Sequence, residues 1–182
     1  MRIRQATTDD WKGIARVHVD CMRTAYQDIL PSKVIEKFTY TDREERWQKD
    51  LPKSTSGGTM TFVVVDTQDN VVGFALGGTM RDPRLRIKYT GELYGIYIHP
   101  DVQGQGLGKK LFESIAEFLS SLHHSRMALW TFEDHPSCDF FKSLHGNEVY
   151  NKKTTIAGNE LNEHAYGWDD IETFSFNKKE MN

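Results

Sequence analysis

The sequence predicts an α/β fold of the α+β type, in which a mixed, mostly antiparallel sheet of six or seven strands carries helices on both faces. Short apolar strands interleave with amphipathic helical stretches along the chain. Strands joined by turn residues form hairpins toward both ends, and a glycine-rich turn leads from one strand into a long helix. Interleaved strands and helices with hairpins at both ends favour this architecture.

Composition limits the class of protein. A chain of 182 residues suffices for one domain, which we place at residues 1–170 with a C-terminal tail at 171–182. Hydrophobic content of 38%, charged content of 27% and a net charge of -3 indicate a soluble globular protein without the basic footprint of nucleic-acid binding. No apolar run is long enough to cross a bilayer and no signal-peptide core follows Met1, so we expect no membrane partner and a cytoplasmic location.

Two cysteines, Cys21 and Cys138, are too few for a disulfide framework, and neither has the neighbours of a zinc site. We therefore expect two buried thiols and no bound metal.

The first half of the chain predicts one strand, two helices and one hairpin. Thr7 with Asp10 three residues on is similar to a capping box, so a helix is expected after the alternating strand at 2–6. Its inward face repeats at helical spacing through Ile14, Val17, His18, Cys21, Met22 and Ala25. The next elements are a helix at 42–51, a loop at 52–58, and strands at 61–65 and 71–76.

The second half predicts a strand-turn-helix unit and a closing hairpin. A loop with Arg81, Arg84, Arg86 and Lys88 precedes the strand at 92–98; a solvated charged loop is the ordinary interpretation, and guidance of a phosphate or an acidic acceptor is the alternative. The helix after the glycines buries Leu107, Leu111, Ile115, Phe118, Leu119 and Leu122. The remaining elements are a strand at 127–132, a short helix at 134–144, and strands at 149–156 and 161–168.

The glycine-rich turn lies within the segment from Ile98 to Lys109. Glycines let the backbone approach a phosphate closely, and the unpaired N–H groups and positive dipole end of the next helix favour an anion. Two familiar phosphate loops do not fit. A Walker loop needs glycine at Gln103 and a hydroxyl at Lys110, whereas a dinucleotide fingerprint needs its third glycine at Lys109.

The remaining pattern is Gln103-x-x-Gly106-x-Gly108 between a strand and a helix, which resembles the pyrophosphate-binding signature of the GNAT superfamily of N-acetyltransferases, bacterial type. Residues 134–144 are similar to the family's Asn-Pro-Ser-Cys-x-Phe-Tyr-Glu-x-Leu pattern, with His135 in place of Asn and Phe141 in place of Tyr. The likeness spans positions 2 to about 170. The alternative is a glycine-rich turn that only joins a strand to a helix.

The resemblance implies an enzyme that transfers the acetyl group of acetyl-CoA directly to a primary amine of a small molecule or protein. Acetyl-CoA is then the co-substrate, with its pyrophosphate on the backbone N–H groups of the glycine-rich turn and its pantetheine arm added like a strand. The implied cofactor-binding residues are Ile96, Tyr97, Ile98, Gln103, Gly104, Gln105, Gly106, Leu107, Gly108, Lys109, His135 and Phe141.

Deprotonation of the amine points to a carboxylate on the strand before the glycines. Glu92 is the candidate catalytic base, because the resemblance implies a strand carboxylate that acts directly or through water. A solvent-facing strand-end carboxylate is the alternative, and Glu133 is a second candidate base. His135 and Cys138 stand three positions apart, but direct transfer needs no covalent intermediate, so we interpret Cys138 as a packing residue.

Phe141 removes the usual proton donor for the departing thiolate, because a phenyl ring has no proton to give. A thiol with a pKa near about 8.5 can leave as thiolate, so the missing acid lowers the rate by at most roughly 10²- to 10⁴-fold. Water or another tyrosine is expected to substitute, the candidates being Tyr94, Tyr97, Tyr150 and Tyr166. Phe141 is also the feature that favours the alternative function, a non-catalytic acyl-CoA binding or sensing module.

The acceptor is expected between the first helices and this strand, near His18, Arg23 and Tyr26, each of which also has an ordinary surface or core interpretation. A polyamine, an antibiotic, an amino acid and a protein N-terminus all fit the sequence equally. A homodimer is compatible with the sequence and is not specifically indicated by it.

Overall fold

The computed structural model describes residues 1–55 and 57–174. Within them the chain forms seven strands and five α-helices. In chain order they are β1 Arg2–Gln5, α1 Trp11–Ala25, α2 Ser32–Ile35, α3 Tyr40–Asp50, β2 Thr59–Val65, β3 Val71–Thr79, β4 Gly91–Ile98, α4 Leu107–Ser121, β5 Met127–Phe132, α5 Ser137–Ser143, β6 Asn147–Ile156 and β7 Asn159–Trp168.

The strands form one sheet in the order β1-β2-β3-β4-β5-β7-β6. Neighbouring strands are antiparallel except β4 and β5, which run parallel because α4 crosses between them. The predicted mixed, mostly antiparallel sheet is therefore confirmed, with seven strands.

Hydrophobic clusters cover both faces of this sheet. One cluster contains α4 and α5 residues such as Leu111, whereas the other contains α1 and α3 residues such as Trp47. Val63 belongs to the second cluster and its neighbour Val64 to the first, because successive strand residues point to opposite faces. A smaller cluster lies beneath the charged loop at 81–90, where Tyr89 packs near Ala128 and Ala165. The predicted helices on both faces are confirmed.

The predicted capping residues begin α1 through a 3₁₀ turn at Thr8–Asp10. The Asp10 carboxylate accepts the Thr7 backbone N–H at 2.7 Å and two Arg4 guanidinium N–H groups at 2.7 and 2.8 Å. Burial alone would raise the pKa of Asp10, but these hydrogen bonds hold it below its ordinary value. The turn is thereby tied to β1.

Three local features differ from the sequence expectations. The single-turn helix α2 was not predicted, and α3 begins at Tyr40 because the Thr39 hydroxyl accepts the Asp42 backbone N–H at 3.2 Å. Beyond position 170, Ile171 is fully buried and the ring of Phe174 packs on Phe112 with centroids 5.0 Å apart. The packed chain thus continues into the segment predicted as a tail, of which residues 175–182 lie outside the described residues.

Candidate active site

The sheet opens between β4 and β5. These strands pair only through residues 91–92 and 127–128, and farther along they separate. The β3 side of β4 shows the cause: Leu76 faces Gly95 whereas Gly77 faces Leu93, so Tyr94 is an extra residue. A bulge of this kind bends a strand and redirects the residues beyond it.

Beyond the bulge, β4 has a free edge. The His99 backbone N–H donates to the Val72 carbonyl of β3 at 2.9 Å. Because residues alternate in an antiparallel ladder, Ile96 and Ile98 turn their N–H and C=O groups to the opposite side. The Ile98 carbonyl there accepts the side-chain N–H of Gln103 at 2.9 Å. The strand edge thus leads directly into the glycine-rich turn.

A cavity of about 580 Å³ fills the opening, which is within the usual range for ligand sites. Its walls are the end of α1, the free edge of β4, the glycine-rich turn with the start of α4, and the start of α5. The predicted cofactor-binding residues that line it are Ile96, Tyr97, Ile98, Gln103, Gly104, Gly106, Leu107, Gly108, Lys109 and His135. Gln105 and Phe141 are outside the lining.

The turn leaves room and free donors for an anion. Gly104 and Gly106 have φ angles of +74° and +73°, and no atom lies within 4 Å of the Cβ that a substitution would add. The first backbone N–H that donates within α4 is that of Lys110, whose acceptor is the Gly106 carbonyl at 3.3 Å. The preceding N–H groups of Leu107, Gly108 and Lys109 are therefore free at the positive end of the helix dipole.

His135 contributes a further free donor to the cavity, from a side chain. Its Nδ1 accepts the Ser137 backbone N–H at 3.1 Å, so the neutral ring carries its proton on Nε2. Burial lowers the pKa of His135, which keeps the ring neutral. Nε2 is buried and has no hydrogen-bond partner among the described residues. A ligand carbonyl in the cavity would satisfy it.

The end of α1 supplies the wall opposite the glycines. The Tyr26 ring lies against His135 with centroids 4.4 Å apart, and Tyr97 stacks on Phe74 with centroids 4.8 Å apart. The Cys21 thiol donates to the Ile98 carbonyl at 3.2 Å. Burial raises the pKa of Cys21 and Tyr97 to about 12 and also raises the pKa of Tyr26. All three groups keep their protons at neutral pH.

His18 and Arg23 do not line the cavity, unlike Tyr26, the third residue predicted near the acceptor. The His18 ring lies behind Tyr97, 4.8 Å between centroids, and its Nδ1 accepts the Trp47 indole N–H at 3.1 Å. Burial, with the positive charges of Arg43 and Arg46, lowers the pKa of His18 to about 4. His18 is therefore a neutral packing residue at physiological pH.

Glu92, the predicted base, lies outside the cavity lining. The Arg81 guanidinium donates to its two carboxylate oxygens at 2.7 and 3.2 Å, and the Arg81 backbone N–H donates to it at 2.8 Å. The Glu92 side chain is only 6% exposed. These contacts fasten the charged loop to β4 and engage both carboxylate oxygens of Glu92. The described residues that line the cavity include no Asp or Glu.

Two other residues predicted near the reacting groups, Phe141 and Glu133, contact neighbouring residues of the fold. Phe141 is 3% exposed and packs on Tyr166 and Trp168 at the core face of α5. Phe140, its neighbour on α5, lines the cavity and Phe141 does not, so the place of Phe141 beside a departing sulfur stays a prediction. Glu133 accepts the Asn162 side-chain N–H at 2.7 Å.

The two cysteines and the charged loop follow their ordinary interpretations. Cys21 and Cys138 are buried and free, as predicted. In the loop, Arg84 pairs with Asp82 at 2.7 Å and Lys88 pairs with Asp169 at 2.9 Å.

Among residues 1–55 and 57–174, no cluster of three or more His, Cys, Asp or Glu side chains is arranged to hold a metal ion. No helix in that part of the chain has both the length and the apolar character that crossing a bilayer requires.

Sequence reasoning missed part of the cavity wall. Thr24, Pro136, Ser137 and Phe140 line it without having been predicted to do so. The signal for Ser137 was the position two residues after His135, where a backbone N–H can fix the imidazole tautomer. Thr24 had no such signal, because only tertiary packing brings the end of α1 to the opening.

The fold and this opening define a class of protein: one mixed sheet that separates between two parallel strands beside a helix start with free backbone N–H groups. The family profile for the acetyltransferase (GNAT) family matches residues 21–146. An uncharacterized N-acetyltransferase of Bacillus subtilis (strain 168), YuaI, is 36% identical over 169 residues, which is 93% of each chain. The protein belongs to the GNAT acetyltransferase family. This confirms the predicted acetyl-CoA-dependent N-acetyltransferase.

Solved structures show the same fold. An N-acetyltransferase from Staphylococcus aureus Mu50 superposes with a TM-score of 0.68 at 18% identity, covering 93% of this chain and 98% of that one. A GNAT superfamily phosphinothricin acetyltransferase from Sinorhizobium meliloti, solved in complex with acetyl-CoA, gives a TM-score of 0.66 at 19% identity, covering 92% and 86%.

Proposed function

We propose that the protein transfers the acetyl group of acetyl-CoA directly to a primary amine of a small molecule or protein, with both substrates bound together. The observation that carries the proposal is the continuity of one cavity from the free N–H groups at the start of α4 to the free edge of β4. Acetyl-CoA has a pyrophosphate for the first and an amide-bearing arm for the second. We also propose a cytoplasmic location, where acetyl-CoA is available.

The residues present fit this co-substrate. Gly104 and Gly106 leave the phosphate position open, and the backbone N–H and C=O of Ile96 and the N–H of Ile98 lie where an extended arm can pair like an added strand. The unpartnered Nε2–H of His135 can donate to an amide carbonyl of that arm. His135 would thus supply the N–H donor that an Asn side chain offers at this position in the resembling pattern.

The chemistry requires a free amine and a leaving thiol. The amine nitrogen forms a bond to the carbonyl carbon of the thioester, and the carbon–sulfur bond then breaks. Because no carboxylate lines the cavity among the described residues, we propose that the amine reaches the cavity after losing its proton to water. We propose that a backbone N–H on the open edge of β4 holds the oxygen that gains charge.

The alternative of a non-catalytic acyl-CoA sensor depended on Phe141. That residue is buried among core residues, and membership of the acetyltransferase family supports the enzyme over the sensor. The acceptor and the homodimer remain predictions from the sequence.

The first prediction tests the phosphate position. Gly106→Asp should abolish acetyl-CoA binding measured by calorimetry, because it adds a carboxylate where the anion is proposed to bind. Gly158→Asp is the matched control, since Gly158 also has a positive φ of +84° and nothing within 4 Å of an added Cβ, yet lies in the β6–β7 turn. The control should bind normally with similar loss of stability. Equal binding by both variants, or none by the unmodified protein, would contradict the proposed function.

A further inference from the structure

Breaking the thioester leaves an electron pair on sulfur, and a nearby O–H or N–H group accelerates this step by donating to it. The position expected to supply that donor from the sequence pattern is Phe141, which has no proton and faces the core. The donor at this step is then water or another side chain of the cavity wall.

Most donors in the wall are already engaged. The Cys21 thiol donates to the Ile98 carbonyl at 3.2 Å, and the Thr24 hydroxyl donates to the Asp20 carbonyl at 2.8 Å. The Ser137 hydroxyl lies 2.6 Å from the His135 Nδ1 that already accepts a backbone N–H, so Ser137 donates there too. Among the described residues, the hydroxyls of Tyr26 and Tyr97 make no such contact. These two phenols are the remaining hydroxyl donors.

The two phenols occupy different places. The Tyr97 ring lies over β4 and β3, because it stacks on Phe74 with an interplanar angle of 22° and its hydroxyl approaches the Cβ position of Gly95. The Tyr26 ring instead lies across the opening, against His135 and 6.2 Å from the Phe132 ring at the end of β5. An arm lying along the free edge of β4 and reaching His135 would therefore end beside Tyr26.

We propose that the Tyr26 hydroxyl is the proton donor for the coenzyme A sulfur, an inference that rests on the proposed function. As the carbon–sulfur bond breaks, its electron pair goes to sulfur, which takes the Tyr26 proton. The nitrogen that formed the new amide bond still carries a surplus proton, which returns to the Tyr26 phenolate through water. Tyr26 thus begins and ends the cycle protonated, and burial, which raises the pKa of this phenol, keeps it so at neutral pH.

The second prediction is a shift in the thiol pKa of bound coenzyme A, which needs no acceptor. A donor aimed at sulfur favours the thiolate, so this pKa should be lower in the wild-type complex than in free coenzyme A. Tyr26→Phe keeps the ring and should raise the bound thiol pKa by about one unit, whereas Tyr150→Phe, which is exposed and outside the cavity lining, is the control and should leave it unchanged. Tyr97→Phe tests the competing phenol. Ultraviolet titration of the thiolate, with the desulfo-coenzyme A complex as blank, removes the protein's own tyrosines and cysteines from the signal.

Turnover supplies the second readout. On an amine panel, Tyr26→Phe should lower kcat by about 10²-fold while the KM for acetyl-CoA stays constant. Normal coenzyme A affinity with an unshifted thiol pKa in Tyr26→Phe would overturn this inference alone, and a shift only in Tyr97→Phe would transfer the role to Tyr97. Absence of coenzyme A binding to the wild-type protein would instead overturn the proposed function and the inference together.

Discussion

At the scale of single residues, burial sets the protonation of the groups behind the cavity, and His18 illustrates the consequence for stability. An unfolded histidine takes up a proton near pH 6.5, whereas burial holds His18 neutral until its folded pKa of about 4. Between these values the unfolded chain binds more protons than the native protein. Stability is therefore lost as the pH falls through this window.

The third prediction tests this loss of stability at low pH. His18→Asn can still accept the Trp47 indole N–H but has nothing to titrate, so its loss of stability between pH 6.5 and 4 should be smaller by up to about 3 kcal/mol. Urea unfolding at a series of pH values measures it. His145→Asn is the control, because His145 is exposed and has a φ of 61° that Asn tolerates. Parallel pH curves for wild type and His18→Asn would contradict the assignment.

Residue identities predicted only part of the candidate site. The glycine-rich turn could be found because close backbone approach and a helix start are local properties of Gly104, Gly106 and the residues just after them. The opposite wall could not, because Tyr26 and His135 stand far apart in the chain and meet only after the sheet forms. Phe141 shows the same limit. The sequence pattern predicts a place near the sulfur for it, whereas in the structure the preceding residue, Phe140, lines the cavity and Phe141 packs in the core.

At the scale of elements, the periodicity of apolar residues predicted most strands and helices, because this spacing is a property of the local sequence. The bulge at Tyr94 was not predictable, because it arises from the pairing of β4 with β3 and needs no special residue type. The single-turn α2 also lacked a pattern, having four residues. The bulge matters most, because it produces the opening.

The fourth prediction concerns the fastening of the charged loop to β4. Arg81→Met should destabilise the protein by about 2 kcal/mol in urea unfolding, because it leaves the buried Glu92 carboxylate without its guanidinium partner; the exposure of Arg81 keeps the loss below that of a fully buried pair. Glu92→Gln should lose less and should leave the shape of the kcat pH profile unchanged. Lys153→Met, whose partner Glu160 is itself exposed, is the control and should lose much less stability.

If Glu92 is instead the general base, the kcat pH profile of Glu92→Gln should change. A general base matters most where the amine is protonated, so turnover of Glu92→Gln would then fall increasingly below wild type as the pH is lowered. That outcome would restore Glu92 as the base acting through water, despite its position outside the cavity.

At the scale of the whole molecule, the sheet is two parts joined narrowly. The parallel contact of β4 with β5 covers residues 91–92 and 127–128, and the core cluster around α4 holds the two parts together on one face. A ligand lying along β4 and touching the start of α5 would bridge the opening. Binding to the native state alone at about 100-fold above Kd adds about 2.7 kcal/mol of stability.

The fifth prediction concerns which backbone amides coenzyme A protects from hydrogen exchange. Coenzyme A should slow amide hydrogen exchange at Ile96 and Ile98, whose N–H groups face the opening, much more than at Tyr97, whose N–H faces β3 by the alternation of the ladder. The contrast between adjacent residues separates strand-like pairing from a general rise in stability, which would slow all three alike. Val64 in β2 is the internal reference, because it is fully buried within the continuous part of the sheet. Uniform slowing across these positions would mean that the arm does not pair with the edge of β4.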